Sequence, residues 1–75
     1  MTIKLRTKIN DYIKQNKDLI DKYKYLCFLV DRDEILYVKA LKSIVCVNVY
    51  IKSVLEKTNW TMKNLEIVNL KKGNK

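Results

Sequence analysis

Hydrophobic residues in this chain follow two rhythms. At the start they fall at Ile9, Ile13 and Ile20, with Tyr12 and Leu19 beside them and Asn16 as one polar gap. That three-to-four spacing predicts an amphipathic helix over Ile9–Ile20, with Lys14, Lys17 and Asp18 on its wet side. The run YLCFLV, Tyr25–Val30, is short and unbroken, and it predicts a buried strand. Asp31 and Glu34 have the spacing of a helix-capping pair. Behind them Ile35, Val38, Leu41 and Val45 form a second helical stripe, widened by Leu36, Ala40 and Ile44. The run VCVNVYIKSV, Val45–Val54, predicts a second strand over roughly 46–54. Period two sets Val47, Val49 and Ile51 on one face, and Asn48, Tyr50 and Lys52 on the other. A polar connector, Glu56–Asn64, holds the only Trp, and LEIVNL (Leu65–Leu70) predicts a third strand before a solvated tail.

Helix, strand, helix, strand, strand is satisfied by an α+β fold: a small antiparallel three- to four-stranded sheet with two helices packed on one face. Seventy-five residues predict a single domain, 1–75, with no internal repeat or linker. A core of that size is marginal, so such domains tend to need a staple or a partner.

Charge changes the picture. The net charge is +8, from 16 Lys and Arg against 8 Asp and Glu. Residues 1–25 carry seven basic and three acidic side chains, residues 26–56 four of each, and residues 57–75 five and one. Cationic margins around a neutral, apolar centre are the footprint expected for a polyanion partner.

Other chemistry is thin. There is no histidine, so the commonest metal ligand and the usual general base at neutral pH are missing. No metal or other cofactor is expected. Cys27 and Cys46 sit in apolar runs without CxxC spacing and predict buried free thiols. No stretch reaches the roughly 18 apolar residues of a membrane span, and the first residues lack the apolar core of a secretory signal. Fourteen Lys, eight Ile and seven Asn against one Ala, one Gly and no Pro are what A/T-rich codons produce. Such codons point to an organelle, a parasite, a virus or an A/T-rich bacterium.

Three stretches, in order, resemble one family. They are KYKYLCFLVDRD (Lys22–Asp33), NVYIKSV (Asn48–Val54) and IVNLKKGNK (Ile67–Lys75). They are similar to segments of the universal large-subunit ribosomal protein twenty-three, which lies at the rim of the polypeptide exit tunnel. The resemblance implies a strand and turn leading into the main helix at the first stretch, and a sheet strand at the second. It implies a structural, non-catalytic component of the large subunit. Its partners would be large-subunit rRNA, neighbouring ribosomal proteins and nascent-chain factors at the exit. A plastid or other organelle ribosome is the implied setting, with bacterial cytoplasm the other. Only about ten residues, Leu55–Asn64, fill the place of the family's long basic hairpin loop. LRTKINDY (Leu5–Tyr12) would correspond to the family's N-terminal motif, with Asp11 near the acid that docks a nascent-chain chaperone.

Expected rRNA contacts follow from charge and place. Lys4, Arg6 and Lys8 alternate along an N-terminal segment and share a side if it is extended. Lys71, Lys72 and Lys75 follow the last strand. Arg6 and Arg32 are the only arginines, and arginine grips phosphate bidentately; Arg32 has Asp31 and Asp33 as its other possible partners. Lys39, Lys52 and Lys63 complete the cationic set. Trp60 either stacks on a base or fills the core. Two other classes compete: a small basic ribonuclease toxin using Tyr50 and Lys52 for proton transfer and charge stabilisation, and a viral or phage module that blocks a host protein.

Overall fold

The computed structural model describes residues 2–71. Helix α1 (Ile3–Gln15) and a short α2 (Asp18–Lys22) lead into strands β1 (Tyr25–Asp31) and β2 (Glu34–Leu41). Then come α3 (Ile44–Lys57), a single 3-10 turn (Met62–Asn64) and β3 (Leu65–Asn69). The strands form one antiparallel sheet in the order β2-β1-β3. The class is α+β, as the pattern predicted.

β1 takes the centre because both its faces are apolar, the composition a strand covered on both sides needs. Leu26, Phe28 and Val30 point into a cluster with Leu5 and Ile9 of α1 and with Leu19 and Ile20 of α2. Cys27, between them, points into a second cluster with Leu41, Leu65 and Val47 of α3. Two helices therefore share one face, and α3 adds a layer on the other. Phe28 is fully buried and packs edge-to-face with the Tyr12 ring, centroids 5.6 Å apart and planes at 86°.

Two expected elements exchange places. The helix expected behind Asp31 is strand β2, and the strand expected over roughly 46–54 lies inside α3. Asp31 and Glu34 do not cap a helix; they face each other across a hairpin. Between them Arg32 (φ 51°) and Asp33 (φ 65°) are both left-handed, the geometry of a two-residue turn whose twist matches paired strands. Once that turn is set, Val38 and Ala40 face the α1 cluster and Leu41 the α3 cluster. Leu29 pairs with Tyr37 and Val30 with Ile35, which leaves Leu36 as the extra residue of a bulge.

α3 begins where Ser43, in extended conformation, accepts a hydrogen bond from the Cys46 N–H at 3.2 Å. A serine cap of this kind satisfies one orphan amide of the first turn. Val47, Tyr50, Ile51 and Val54 then recur at helical spacing and meet the sheet. In a run this apolar both periods fit, and covering Cys27 and Leu65 selects the helix over valine's preference for strands. Asn48 and Lys52, four apart, both sit on the exposed side of that helix.

The N-terminal segment is also helical, not extended. Thr2 caps α1 by accepting from the Leu5 N–H at 3.1 Å. The helix expected to run through to Ile20 breaks at Asn16, whose side-chain amide donates to the Tyr12 carbonyl at 2.8 Å.

Candidate nucleic-acid interface

At one end of the sheet the backbone brings several lysines side by side in the chain trace. Lys24 precedes β1, and its N–H donates to the Leu41 carbonyl at 3.1 Å while its own carbonyl accepts from Leu70 at 2.8 Å. These bonds tie together the start of β1 and the ends of β2 and β3. Lys24, Lys42 and Lys71 thereby become neighbours, with Lys22 one residue beyond Tyr23. The Lys42 ammonium lies 5.9 Å from the Tyr23 ring centre. Lys71 donates to the carbonyl of Ile20 in α2, which leaves two further N–H donors on that ammonium. α2 brings Asp18 and Asp21 to this end as well, and the balance stays positive.

The opposite end of the sheet is mixed in sign. Arg32 and Lys63 meet there around an open hollow of about 490 Å³, together with Asp31, Asp33 and Glu66. Three carboxylates beside two cations make a poor anion cradle. Among the described residues the one ion pair is Lys8–Glu34, so Arg32 pairs with neither Asp31 nor Asp33. Asn64 anchors this end by donating to the Val30 carbonyl at 3.0 Å.

The remaining expected contacts scatter. Lys4 and Arg6 are exposed on α1 but two residues apart on a helix, so they do not share a side as an extended segment would allow. Lys8 is engaged: its ammonium donates to the Asp33 carbonyl and to the Glu34 carboxylate, each at 2.8 Å. Asp11 is exposed on α1, Lys39 on β2 and Lys52 on α3. Trp60 is partly buried in the connector. Lys72 and Lys75 lie outside the described residues.

The lysine end was only partly visible in the sequence. Lys71 was expected, whereas Lys22, Lys24 and Lys42 were not. The hydrophobic pattern places Lys42 in a helix; with β2 ending at Leu41 it is a strand-end residue.

The Tyr50 and Lys52 pair does not converge. Two residues apart on α3, they diverge by roughly 200°, Tyr50 partly buried and Lys52 exposed. Burial raises the Tyr50 phenol above its ordinary value, with smaller contributions from Cys27 and Tyr37. That direction opposes a phenolate base. Cys27 is buried as expected and Cys46 is exposed, contrary to expectation, because helix α3 turns it off the core. Burial pushes the Cys27 thiol up to about 11, which keeps it protonated and inert. Among the described residues no three Cys, Asp or Glu gather where a metal ion would fit, and no helix is long and apolar enough to cross a membrane.

Comparison of the chain with protein-family models, curated proteins and solved structures finds no match.

Proposed function

We propose that this chain is a non-catalytic RNA-binding protein that docks the lysine end of its sheet on phosphates. One observation carries the reading: the backbone bonds of Lys24 hold it beside Leu41 and Leu70, which sets Lys42 and Lys71 next to it along the backbone, with Lys22 of α2 two residues before it. Lysines on strand ends fix position and register on a backbone without reading bases. Tyr23, beneath Lys42, adds an aromatic surface of the kind that folded RNA meets with sugars and unstacked bases.

The large ribosomal subunit is the setting we favour, on the likeness of the three stretches named above. That support is from sequence alone. In the fold VDRD closes a hairpin and NVYIKSV lies in a helix, so the likeness does not extend to matching elements. In this setting Asp11 is available on α1 for a nascent-chain factor, and an organelle suits the codon bias. Lys4, Arg6, Lys39 and Lys52 are exposed elsewhere on the fold and are not counted among these phosphate contacts.

Salt titration with a large-subunit rRNA fragment tests the binding. Four phosphate contacts give a slope near −3, so affinity drops on the order of 60-fold between 50 and 200 mM salt. Replacing Lys22, Lys24 and Lys42 by Gln should flatten most of that slope, while Lys52→Gln leaves it nearly intact. A flat titration of the unmodified protein defeats the reading. Co-sedimentation with large subunits on a sucrose gradient tests the ribosomal setting separately.

A further inference from the structure

α3 carries more apolar surface than the sheet covers. Its inner stripe packs on the sheet, yet Val45 and Val49 remain 66% and 64% exposed, and Ile44 is exposed beside them. A surface helix usually turns charged residues outward. Here an apolar groove of about 370 Å³ runs between α3 and β2, lined by Leu41, Val45, Cys46, Val49, Tyr50 and Lys39. Leu36 and Tyr37, also exposed, continue it along β2. β2 is an edge strand, with β1 on one side only.

We infer that this face is an interface between two copies of the chain, formed by antiparallel pairing of β2 with β2 of the second copy. Charge selects that occupant. The molecule is strongly cationic, with a net charge of +8, yet the groove itself carries one charged side chain, Lys39. Two such molecules repel over the rest of their surfaces and meet here with little charge to overcome. An acidic partner finds almost nothing to pair with in a groove whose one charged residue is Lys39.

Register supports a symmetric pairing. Beyond the bulge at Leu36, the regular stretch of β2 is Tyr37–Leu41. Centring the two-fold axis on Lys39 sets two lysines opposite each other, a destabilising pair. Centring it on Val38 sets Tyr37 against Lys39 of the second copy, twice, so each ammonium meets a ring face. The product is a six-stranded sheet with both α3 helices on one side, flanking a trough that closes over Val45, Val49 and Tyr37. An open edge with unpaired backbone groups is the template such pairing uses, and a marginal core gains a second apolar layer. The lysine ends then point in opposite directions along the sheet.

Sedimentation velocity on the full chain, free of RNA, provides the test. The expected result is a concentration-dependent rise from 9.0 kDa toward twice that mass. Val49→Asp and, separately, Val45→Lys should each weaken association by about tenfold or more, with circular dichroism confirming the fold. Ile3→Asp, at a position 84% exposed on α1, should leave association unchanged. Alkylation of Cys46 should slow as the dimer fills, and buried Cys27 reports unfolding. The inference fails if the protein stays at 9.0 kDa at millimolar concentration, or if all three variants behave alike. It fails equally if a chain that is monomeric alone seats a different protein in this groove.

Discussion

Lys8 of α1 reaches the β1–β2 hairpin, where its ammonium pairs with the Glu34 carboxylate at 2.8 Å and donates to the Asp33 carbonyl at the same distance. Thr2, one helical turn and a half earlier, donates its hydroxyl to Asp33 Oδ1 at 2.6 Å. The first helix is therefore stitched to the turn by both backbone and side-chain bonds. The hydrogen bond from Lys8, with its charge, holds the Glu34 carboxyl below the usual carboxylate range, and Lys4 assists. A depressed folded-state value adds stability above the unfolded carboxylate range and loses it as pH falls through the folded value. Thermal melts of Glu34→Gln and the unmodified protein should differ at pH 7 and converge at the acid end. Lys8→Met, which also strips the Asp33 carbonyl of its donor, should cost about 1 kcal/mol through that bond alone. A difference between Glu34→Gln and the unmodified protein that grows toward low pH would reverse the sign argued here.

The hairpin turn is built from two residues that dislike it. Arg32 and Asp33 both hold positive φ, a region costing roughly 1–2 kcal/mol for a residue with a side chain. Asp33 offsets this by accepting from Thr2, whereas Arg32 has no ion pair among the described residues. Arg32→Gly should therefore raise stability by roughly 0.5–1 kcal/mol, a few degrees in Tm for a domain this small. Asp33→Gly should gain less or nothing, because the Thr2 bond goes with the carboxylate. Equal gains at both positions, read by differential scanning calorimetry, would show that the Thr2 contact is idle.

This turn is also where the sequence misled most. Asn-Gly or Asp-Gly announces a two-residue hairpin, and Arg-Asp does not, so Asp31 and Glu34 read as a cap. With a cap there, ILYVKAL reads as a helix and the next apolar run as a strand. Ser43, an available cap three residues before Cys46, was the signal that would have corrected it. β1 and β3 were legible because short apolar runs between polar stretches have few other readings. The break at Asn16 was visible as a gap in the stripe, though not as a helix end. Of the lysine end, only Lys71 was legible. Which strand ends are neighbours depends on pairing, and pairing is nonlocal.

Phe28 tests how much one residue holds. It is fully buried on the central strand and touches α1 through Tyr12. Phe28→Ala should cost about 3–5 kcal/mol, against a total of roughly 4–11 kcal/mol expected for a domain of this length. Cooperative melting should be lost or shifted far down, while Phe28→Leu costs under about 1.5 kcal/mol. A double-mutant cycle with Tyr12→Leu should return about 0.5–1.5 kcal/mol of coupling for the edge-on contact. Additive losses would mean the rings merely share a space.

Cys27 gives the fold an alkaline limit of its own. Burial raises its thiol from the ordinary 9.0 to about 11. Between those values the unfolded chain releases the proton and the folded chain keeps it, so the unfolded state binds fewer protons and stability falls with rising pH. Below 9.0 both states hold the proton, and above about 11 neither does, so the loss is confined to that window. Cys27→Ala removes the titrating group and leaves a small cavity, which should lower stability at neutral pH. The gap between variant and unmodified protein should then narrow as pH climbs from 9 to 11, because only the unmodified chain carries the thiol penalty. Chemical denaturation at neutral and alkaline pH measures it, and a gap that stays constant would mean that the Cys27 site is open to water.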